Sequence, residues 1–149
     1  MTFRKATKQN LKDIVDLLVN DPLGKTREMG NGPLPEAYQK AFGLIEADPN
    51  QELMVLEEEG VIIGTFQLTF IPYLTYTGGT RAQIEAVRVS EDRRGEGIGE
   101  KMFQWAIERA RERGAHLVQL TTDKQRPEAL RFYEKLGFKA SHEGMKLHL

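Results

Sequence analysis

The amino-acid sequence predicts an α/β or α+β domain built on a mixed sheet. Apolar residues recur at helical spacing over residues 11–18 and 37–45, on either side of a loop rich in Gly and Pro, and the pattern then changes to strict alternation between residues 65 and 70. The second half follows the order strand, glycine-rich turn, helix, strand, helix. No internal repeat, low-complexity tract or linker interrupts the 149 residues, so we expect a single domain over 1–149.

Composition excludes several classes of function. The chain has 21 Lys plus Arg and 22 Asp plus Glu, and this near-neutral balance argues against a nucleic-acid partner. The absence of cysteine excludes a disulfide scaffold, a cysteine zinc site and a thiol nucleophile. No apolar run approaches the ~20 residues of a membrane span, and the N-terminal stretch lacks the apolar core of a signal peptide. We therefore expect a cytoplasmic protein with no membrane partner.

Two helices and three strands are predicted in the first part of the chain. Leu11, Ile14 and Val15 share one helical face behind the N-cap Asn10, whereas Gly43 weakens the second helix. The predicted elements are, in order, a helix from Asn10 to residues 20–22, a helix over 37–45, a strand over 53–56, a turn at Glu59–Gly60, a strand over 65–70 and a strand over 82–89.

The second part begins with an amphipathic helix that Gly114 ends as a C-cap. Pro127 suits the first position of a later helix, which Gly137 ends. The predicted elements are a helix over 97–113, a strand over 116–121, a helix over 127–136 and two short strands around Glu143–Gly144 in the tail.

The most informative segment places Gly95, Gly97 and Gly99 between a strand that ends at Val89 and a helix that contains Met102. Backbone without Cβ atoms approaches an anion closely, and the free N–H groups of a first helical turn point toward it. The segment therefore predicts a phosphate-binding turn. The alternative is a tight strand-to-helix turn with no ligand.

Two common phosphate motifs do not fit this turn. A Rossmann fingerprint needs glycine where Glu100 stands, and a P-loop needs Gly-Lys-Ser/Thr after a longer spacer. The pattern Arg94-x-x-Gly97-x-Gly99 instead resembles the pyrophosphate loop of the GNAT superfamily of N-acetyltransferases, which has the form Gln/Arg-x-x-Gly-x-Gly/Ala.

A second motif strengthens this resemblance. Residues 129–138 are similar to the family's second signature, in which a tyrosine, here Tyr133, follows Ala129 by four residues and the segment closes with Gly137-Phe138. Both motifs occur in the order that the family shows. The resemblance implies a central, mostly antiparallel sheet with one splayed parallel strand pair and flanking helices.

The resemblance also implies acetyl-CoA as co-substrate, with no metal. In the family, the pantetheine arm lies between the splayed strands and the pyrophosphate lies on the glycine loop. The implied contacts are the backbone of Val87, Arg88 and Val89 for the pantetheine and the amides of Arg94, Gly95, Glu96, Gly97, Ile98, Gly99 and Glu100 for the pyrophosphate.

Three arginines near these motifs have open roles. The side chain of Arg93 or Arg94 adds charge near the phosphates, or both are solvated. Arg126 stands where many family members have asparagine, so it either reaches a CoA phosphate or is solvated.

The chemistry implied is direct attack of an amine on the thioester, without an acyl-enzyme. Glu85 precedes the pantetheine-binding stretch and is the candidate general base; the alternative is a surface glutamate paired with Arg81 or Arg88. By the resemblance, Tyr133 donates a proton to the departing thiolate; the alternative is a core aromatic. The backbone N–H of Val87 would polarise the carbonyl.

The acceptor is expected to be a small-molecule amine, with a protein amine as the less favoured choice. The candidate acceptor contacts are Arg27, Glu28, Phe70, Tyr73 and Tyr76. Two other classes stay open: a catalytically silent CoA-binding sensor or regulatory module, and a protein that binds ATP or NAD through the glycine loop. The family commonly forms homodimers, and the sequence leaves the oligomeric state open.

Overall fold

The structure, a computed structural model, describes residues 1–149, and the chain divides into two units, residues 1–119 and 120–149. The elements of the first unit are β1 (Thr2–Lys5), α1 (Leu11–Val19), α2 (Glu36–Ala47), β2 (Gln51–Glu58), β3 (Val61–Pro72), the four-residue α3 (Thr75–Gly78), β4 (Thr80–Val89), α4 (Ile98–Glu112) and β5 (Leu117–Gln119). The second unit contains α5 (Pro127–Lys135).

The five strands form one sheet in the order β1-β2-β3-β4-β5. The first three pairings are antiparallel, and β4 with β5 is parallel. The predicted fold class, a mostly antiparallel mixed sheet with one parallel pair and flanking helices, is confirmed. Strand β1 was not predicted, because it is a four-residue edge strand in which Phe3 is the one large apolar residue.

Each face of the sheet is covered by helices. Phe66, Leu68 and Phe70 alternate along β3 and are almost fully buried on the face that α4 covers. On that face, Trp105 of α4 stacks on Phe3 with 5.3 Å between ring centroids. Helices α1 and α2 cover the other face, so the period-2 pattern of β3 correctly predicted a strand with a buried side.

A buried carboxylate lies under α4. Glu52 of β2 is 1% exposed, and its oxygens accept hydrogen bonds from Arg109 at 2.7 and 3.0 Å and from Arg113 at 2.9 Å. Burial raises the pKa of Glu52, but the hydrogen bonds and charge of Arg109 outweigh it, so that the pKa lies below its ordinary value. The carboxylate therefore stays ionised and joins β2 to α4.

The structure departs from the sequence in the tail. Residues 138–149 contain no strand, although two were predicted around Glu143–Gly144. The apolar residues Met145, Leu147 and Leu149 alternate as in a strand but are exposed, and an alternating pattern forms a strand only where another strand supplies hydrogen bonds. Strand β5 is also shorter than predicted and ends at Gln119.

The structure contains neither a membrane-spanning helix nor a cluster of metal-binding side chains. None of the helices has both the length and the apolar character needed to cross a bilayer. No group of three or more His, Asp or Glu side chains is arranged to hold a metal ion.

Candidate active site

One edge of β4 is open along most of its length. Its parallel pairing with β5 covers only Arg81, Ala82 and Gln83, because β5 ends at Gln119. Residues 84–89 therefore have no strand partner on that edge. An extended ligand can pair with backbone groups on this side, although the Val87 carbonyl already accepts a 2.8 Å hydrogen bond from the Arg88 guanidinium.

A bulge bends β4 at the same place. Thr65 pairs with Arg88 and Gln67 pairs with Glu85, so two residues of β4, Ala86 and Val87, lie opposite one residue of β3. Ala86 has a φ of 54°, a left-handed conformation that is uncommon for alanine. Bulges of this kind redirect strands and are frequent beside active sites.

The bulge leaves Glu85 exposed on the face that α1 and α2 cover. Its carboxylate accepts a long hydrogen bond of 3.4 Å from Gln83, whose own side-chain carbonyl accepts one of 3.0 Å from Gln119. The alternative ion pairs are not formed: Arg88 lies 3.4 Å from Asp21, and Arg81 packs over an aromatic ring. The Glu85 carboxylate is therefore accessible to an incoming amine.

The glycine-rich turn ends at the positive end of α4. Gly95 and Gly97 have φ of 82° and 75°, and a Cβ added at either would meet no atom within 4 Å. No protein group accepts a hydrogen bond from the six N–H groups of residues 95–100, and the first paired amide is that of Lys101, 3.2 Å from the Gly97 carbonyl. Such a run of unpaired amides at a helix N-terminus is suited to bind phosphate.

The two arginines of this turn are held by protein groups. Arg93 donates to Glu58 at 2.5 Å and to Glu96 at 2.9 Å. Arg94 donates to the backbone carbonyl of Asn20 at 3.0 Å, which fixes the turn to the end of α1. A direct role of either guanidinium on a phosphate stays a prediction.

Tyr133, the predicted proton donor, lies on α5 in the second unit. Tyr133 is half-buried and makes edge contacts with Phe132 and Phe138, at centroid distances of 5.6 and 6.2 Å. Arg126 occupies the N-cap of α5, and its backbone N–H donates to the Asp123 carbonyl at 2.9 Å. The catalytic role of Tyr133 and the binding role of Arg126 stay predictions.

Residues 13–138 match the model of the Acetyltransferase (GNAT) family. The chain belongs to this family. It is therefore an acetyltransferase enzyme, as both sequence motifs predicted.

Individual GNAT relatives support the family. The chain is 32% identical over 107 residues to an aminoalkylphosphonate N-acetyltransferase of Salmonella typhimurium, covering 72% of this chain and 69% of the relative. A glucosamine 6-phosphate N-acetyltransferase of Trypanosoma brucei brucei is 36% identical over 90 residues, covering 60% of this chain and 59% of the relative.

One solved relative that matches almost the whole chain is the crystal structure of a transcriptional regulator from Bacillus halodurans C-125. It is 56% identical, with a TM-score of 0.96 and coverage of 99% of both chains. A structure from Clostridium acetobutylicum, described as a predicted acetyltransferase with acetyl-CoA, is 25% identical with a TM-score of 0.75, covering 99% of this chain and 95% of the other.

Among the candidate acceptor contacts of this GNAT enzyme, Glu28 lies beside the face that carries Glu85. It accepts a 2.6 Å hydrogen bond from the hydroxyl of Tyr38, a residue of α2. Arg27 is exposed, and its guanidinium lies 3.9 Å from the buried Asp21. The loop after α1 thus reaches the helices that cover this face.

Of the other candidates, Phe70 lies on the face opposite Glu85, and Tyr73 lies beyond the end of β3. Phe70 is 3% exposed on the opposite face of the sheet, under the guanidinium of Arg113 at 4.1 Å. Tyr73 follows the end of β3, where its hydroxyl is hydrogen-bonded to His116 and its ring contacts Tyr76. The guanidinium of Arg81 packs over the Tyr73 ring at 4.9 Å from its centroid, and an acceptor role of Tyr73 stays a prediction.

A cavity of about 110 Å³ between α1, α2 and the sheet was not predicted. No local pattern indicates it, because its shape depends on how two amphipathic helices cross the strands. Its lining residues are Leu11, Ile14, Val15, Leu18, Tyr38, Ala41, Phe42, Ile45, Leu53, Thr65, Gln67 and Ala86.

Proposed function

We propose that this acetyltransferase transfers the acetyl group of acetyl-CoA to the primary amine of a small molecule. The observation that carries the proposal is the run of six unpaired N–H groups over residues 95–100 at the N-terminus of α4. A 15-residue helix directs its positive end at this turn, which favours a multiply charged anion.

The residues present fit the binding of acetyl-CoA. The amides from Gly95 to Glu100 would hold the pyrophosphate, whereas the predicted contribution of the Arg94 amide is not available, because it donates to the Glu91 carbonyl at 3.4 Å. The open edge of β4 at Val87, Arg88 and Val89 would pair with the amide groups of the pantetheine arm. When bound, acetyl-CoA supplies the acetyl group as an activated thioester. The N–H of Val87 would donate to the thioester carbonyl and stabilise the charge that develops there.

Glu85 would act as the general base. An alkyl amine has a pKa near ~10 and carries an extra proton at neutral pH, so a proton must leave before the nitrogen can attack. The Glu85 carboxylate is exposed, has no ion-pair partner and lies beside the open edge of β4. It would accept that proton directly or through one water molecule. The chain has no cysteine, so direct attack on the thioester needs no acyl-enzyme.

Tyr133 would return a proton to the sulfur that leaves. We expect Tyr133→Phe to lower kcat about tenfold, less than a typical proton-transfer residue, because a thiol of pKa near ~8.5 leaves as thiolate with little help. The dissociation constant of acetyl-CoA should change by less than about twofold. A thiol-release assay measures kcat, and titration calorimetry measures the dissociation constant. An unchanged kcat would mean that Tyr133 contributes only to packing.

A substitution in the glycine turn tests acetyl-CoA binding directly. We expect Gly97→Val to raise the acetyl-CoA dissociation constant about tenfold or more, because a β-branched residue in the left-handed conformation costs about 1–2 kcal/mol and covers neighbouring amides. Titration calorimetry with acetyl-CoA measures the effect.

Gly114→Val is the matched control for Gly97→Val. Gly114 has the same φ of 75° and the same open surroundings, but it follows the other end of α4. Its substitution should strain the backbone equally and leave acetyl-CoA affinity unchanged. Equal affinities in the two variants would contradict the phosphate-binding role of the turn.

The acceptor class and the enzymatic role are tested together. The two N-acetyltransferase relatives are named for small amines, which supports a small-molecule acceptor. Thiol release from acetyl-CoA over a panel of polyamines, amino acids, alkyl amines and peptides identifies the acceptor. Tight acetyl-CoA binding without release for any amine would favour a regulatory module instead, the role that the name of the Bacillus halodurans relative describes. A cytoplasmic location, a homodimer and a reaction that needs no metal stay predictions.

A further inference from the structure

We infer that the cavity between α1, α2 and the sheet holds an uncharged hydrocarbon group of the acceptor, so that this enzyme acetylates apolar amines such as branched-alkyl or arylalkyl amines. The inference rests on the proposed function, because it assigns the acceptor of the same site.

The cavity lies next to Glu85, the proposed general base. Its wall includes Gln67, which is the register partner of Glu85, and Ala86, which follows Glu85 in the bulge. Side chains of directly opposed residues in antiparallel strands lie about 4.5–5.5 Å apart at their Cβ atoms. An amine hydrogen-bonded to Glu85 therefore has the cavity within reach of its own carbon substituent.

The wall of the cavity suits hydrocarbon. Nine of its twelve residues are Leu, Ile, Val, Ala or Phe, and none is Lys, Arg or His. An anionic or strongly polar substituent would lose its hydration there without gaining a partner, whereas an apolar substituent gains by leaving water.

Three polar groups of the wall, the hydroxyls of Thr65 and Tyr38 and the amide nitrogen of Gln67, already have protein partners. The hydroxyl of Thr65 donates to the Met54 carbonyl at 2.9 Å, and the amide nitrogen of Gln67 donates to Gln51 at 2.8 Å. Burial, together with the hydrogen bond to Glu28, raises the pKa of Tyr38, so its hydroxyl stays protonated and donates to that carboxylate. These groups line the cavity without requiring a polar ligand.

The size of the cavity sets the size of the group. Its volume is about 110 Å³, and a cavity of ~150 Å³ lined by similar side chains in another protein binds benzene. A branched four- or five-carbon chain fits this space. An aromatic ring fits only in part and would extend past the exposed Ala41 into solvent.

Two arginines near this face share one carboxylate. Arg88 pairs with Asp21, whose side chain is 5% exposed, and Arg27 lies 3.9 Å from the same carboxylate. The Asp21 carboxylate therefore offsets one of the two positive charges, and neither guanidinium lines the cavity.

The test uses Ala41→Leu, which fills the mouth of the cavity from an exposed position of α2 with a strong helix former. Ala37→Leu is the matched control, since Ala37 is exposed on the same helix and does not line the cavity. The probes are 3-methylbutylamine, methylamine and 2-aminoethylphosphonate. The readouts are kcat/KM by thiol release and, without acetyl-CoA, the shift in melting temperature that each amine produces.

We expect wild-type kcat/KM for 3-methylbutylamine to exceed that for the other two probes by about tenfold or more, in line with the discrimination that a few methylene groups give. Ala41→Leu should lower kcat/KM for 3-methylbutylamine about tenfold and leave kcat/KM for methylamine unchanged. It should also abolish the increase in melting temperature that 3-methylbutylamine produces. Ala37→Leu should change none of these.

Equal kcat/KM for 3-methylbutylamine in wild type and Ala41→Leu, or a preference of wild type for 2-aminoethylphosphonate, would overturn the inference. The proposed function fails separately: if no amine releases thiol but 3-methylbutylamine still raises the melting temperature of wild type and not of Ala41→Leu, the apolar amine site stands and the transfer reaction does not. The absence of both thiol release and a melting shift with 3-methylbutylamine would overturn the inference as well.

Discussion

Replacing Glu85 by glutamine is expected to lower kcat at neutral pH by about 10²–10⁴-fold, the range typical of a lost general base. Glutamine keeps the size of the side chain and its hydrogen bond from Gln83, which is 3.4 Å long in the wild type. It cannot accept a proton from the amine. Acetyl-CoA affinity should be unchanged, because the amides of residues 95–100 do not involve this side chain.

The pH profile distinguishes a base from a residue that merely shapes the site. An amine of pKa near ~10 becomes roughly tenfold more deprotonated for each pH unit between 7 and 9. The deficit of Glu85→Gln should therefore shrink as the pH rises, whereas a misshapen site would keep a constant deficit. Initial rates from pH 7 to 9.5 measure this profile.

Glu46→Gln is the control for Glu85→Gln, since it removes one exposed carboxylate from α2 outside the cavity. It should retain the wild-type profile. Wild-type turnover of Glu85→Gln across the whole pH range would remove Glu85 from the role of base.

The glycine turn was predictable because its structure is local. Positive φ at Gly95 and Gly97 and the first turn of α4 depend on residues that are adjacent in the sequence. The same holds for the alternation of Phe66, Leu68 and Phe70, which correctly indicated the buried side of β3. Local spacing and local conformational preference suffice for such features.

Other parts of the site depend on long-range packing and were not predictable. The left-handed Ala86 results from the register between β3 and β4, since alanine itself disfavours that conformation. The pairing of Arg88 with Asp21 joins residues 67 positions apart, and no sequence pattern specifies it. The cavity depends on the crossing of α1 and α2 over the sheet, which the amphipathic pattern leaves undetermined.

Phe70 shows where residue type misleads. An aromatic residue near a predicted acceptor region is an attractive contact, but strand alternation decides which face of the sheet it occupies. The pairing of β3 with β4 shows which face each residue occupies. Phe70 pairs with the buried Ala82, whereas Gln67 pairs with the exposed Glu85. Of these two β3 residues, Gln67 is therefore the one beside the proposed base.

The largest expected effect on stability comes from Glu52, which holds α4 to β2 rather than taking part in catalysis. We expect Glu52→Gln to lower the free energy of unfolding at pH 7 by about 2–3 kcal/mol, since hydrogen bonds to charged groups contribute about 1.5–3 kcal/mol each and Arg109 and Arg113 keep partial access to water. Urea denaturation measures the difference. Glu108→Gln is the control, because Glu108 and Arg111 form an exposed ion pair on the same helix and should contribute less than about 1 kcal/mol.

The same variant gives a pH test with a definite sign. The folded-state pKa of Glu52 lies below its unfolded value of about 4.3, so its contribution is complete above that pH and is lost as the pH falls through the folded-state pKa. Protonated glutamic acid and glutamine have nearly the same shape. The stability difference between wild type and Glu52→Gln should therefore be constant from pH 6 to 8 and shrink toward zero in acid. A difference that persists unchanged below the folded-state pKa would mean that glutamine weakens the packing of α4 on β2 instead of removing a charge.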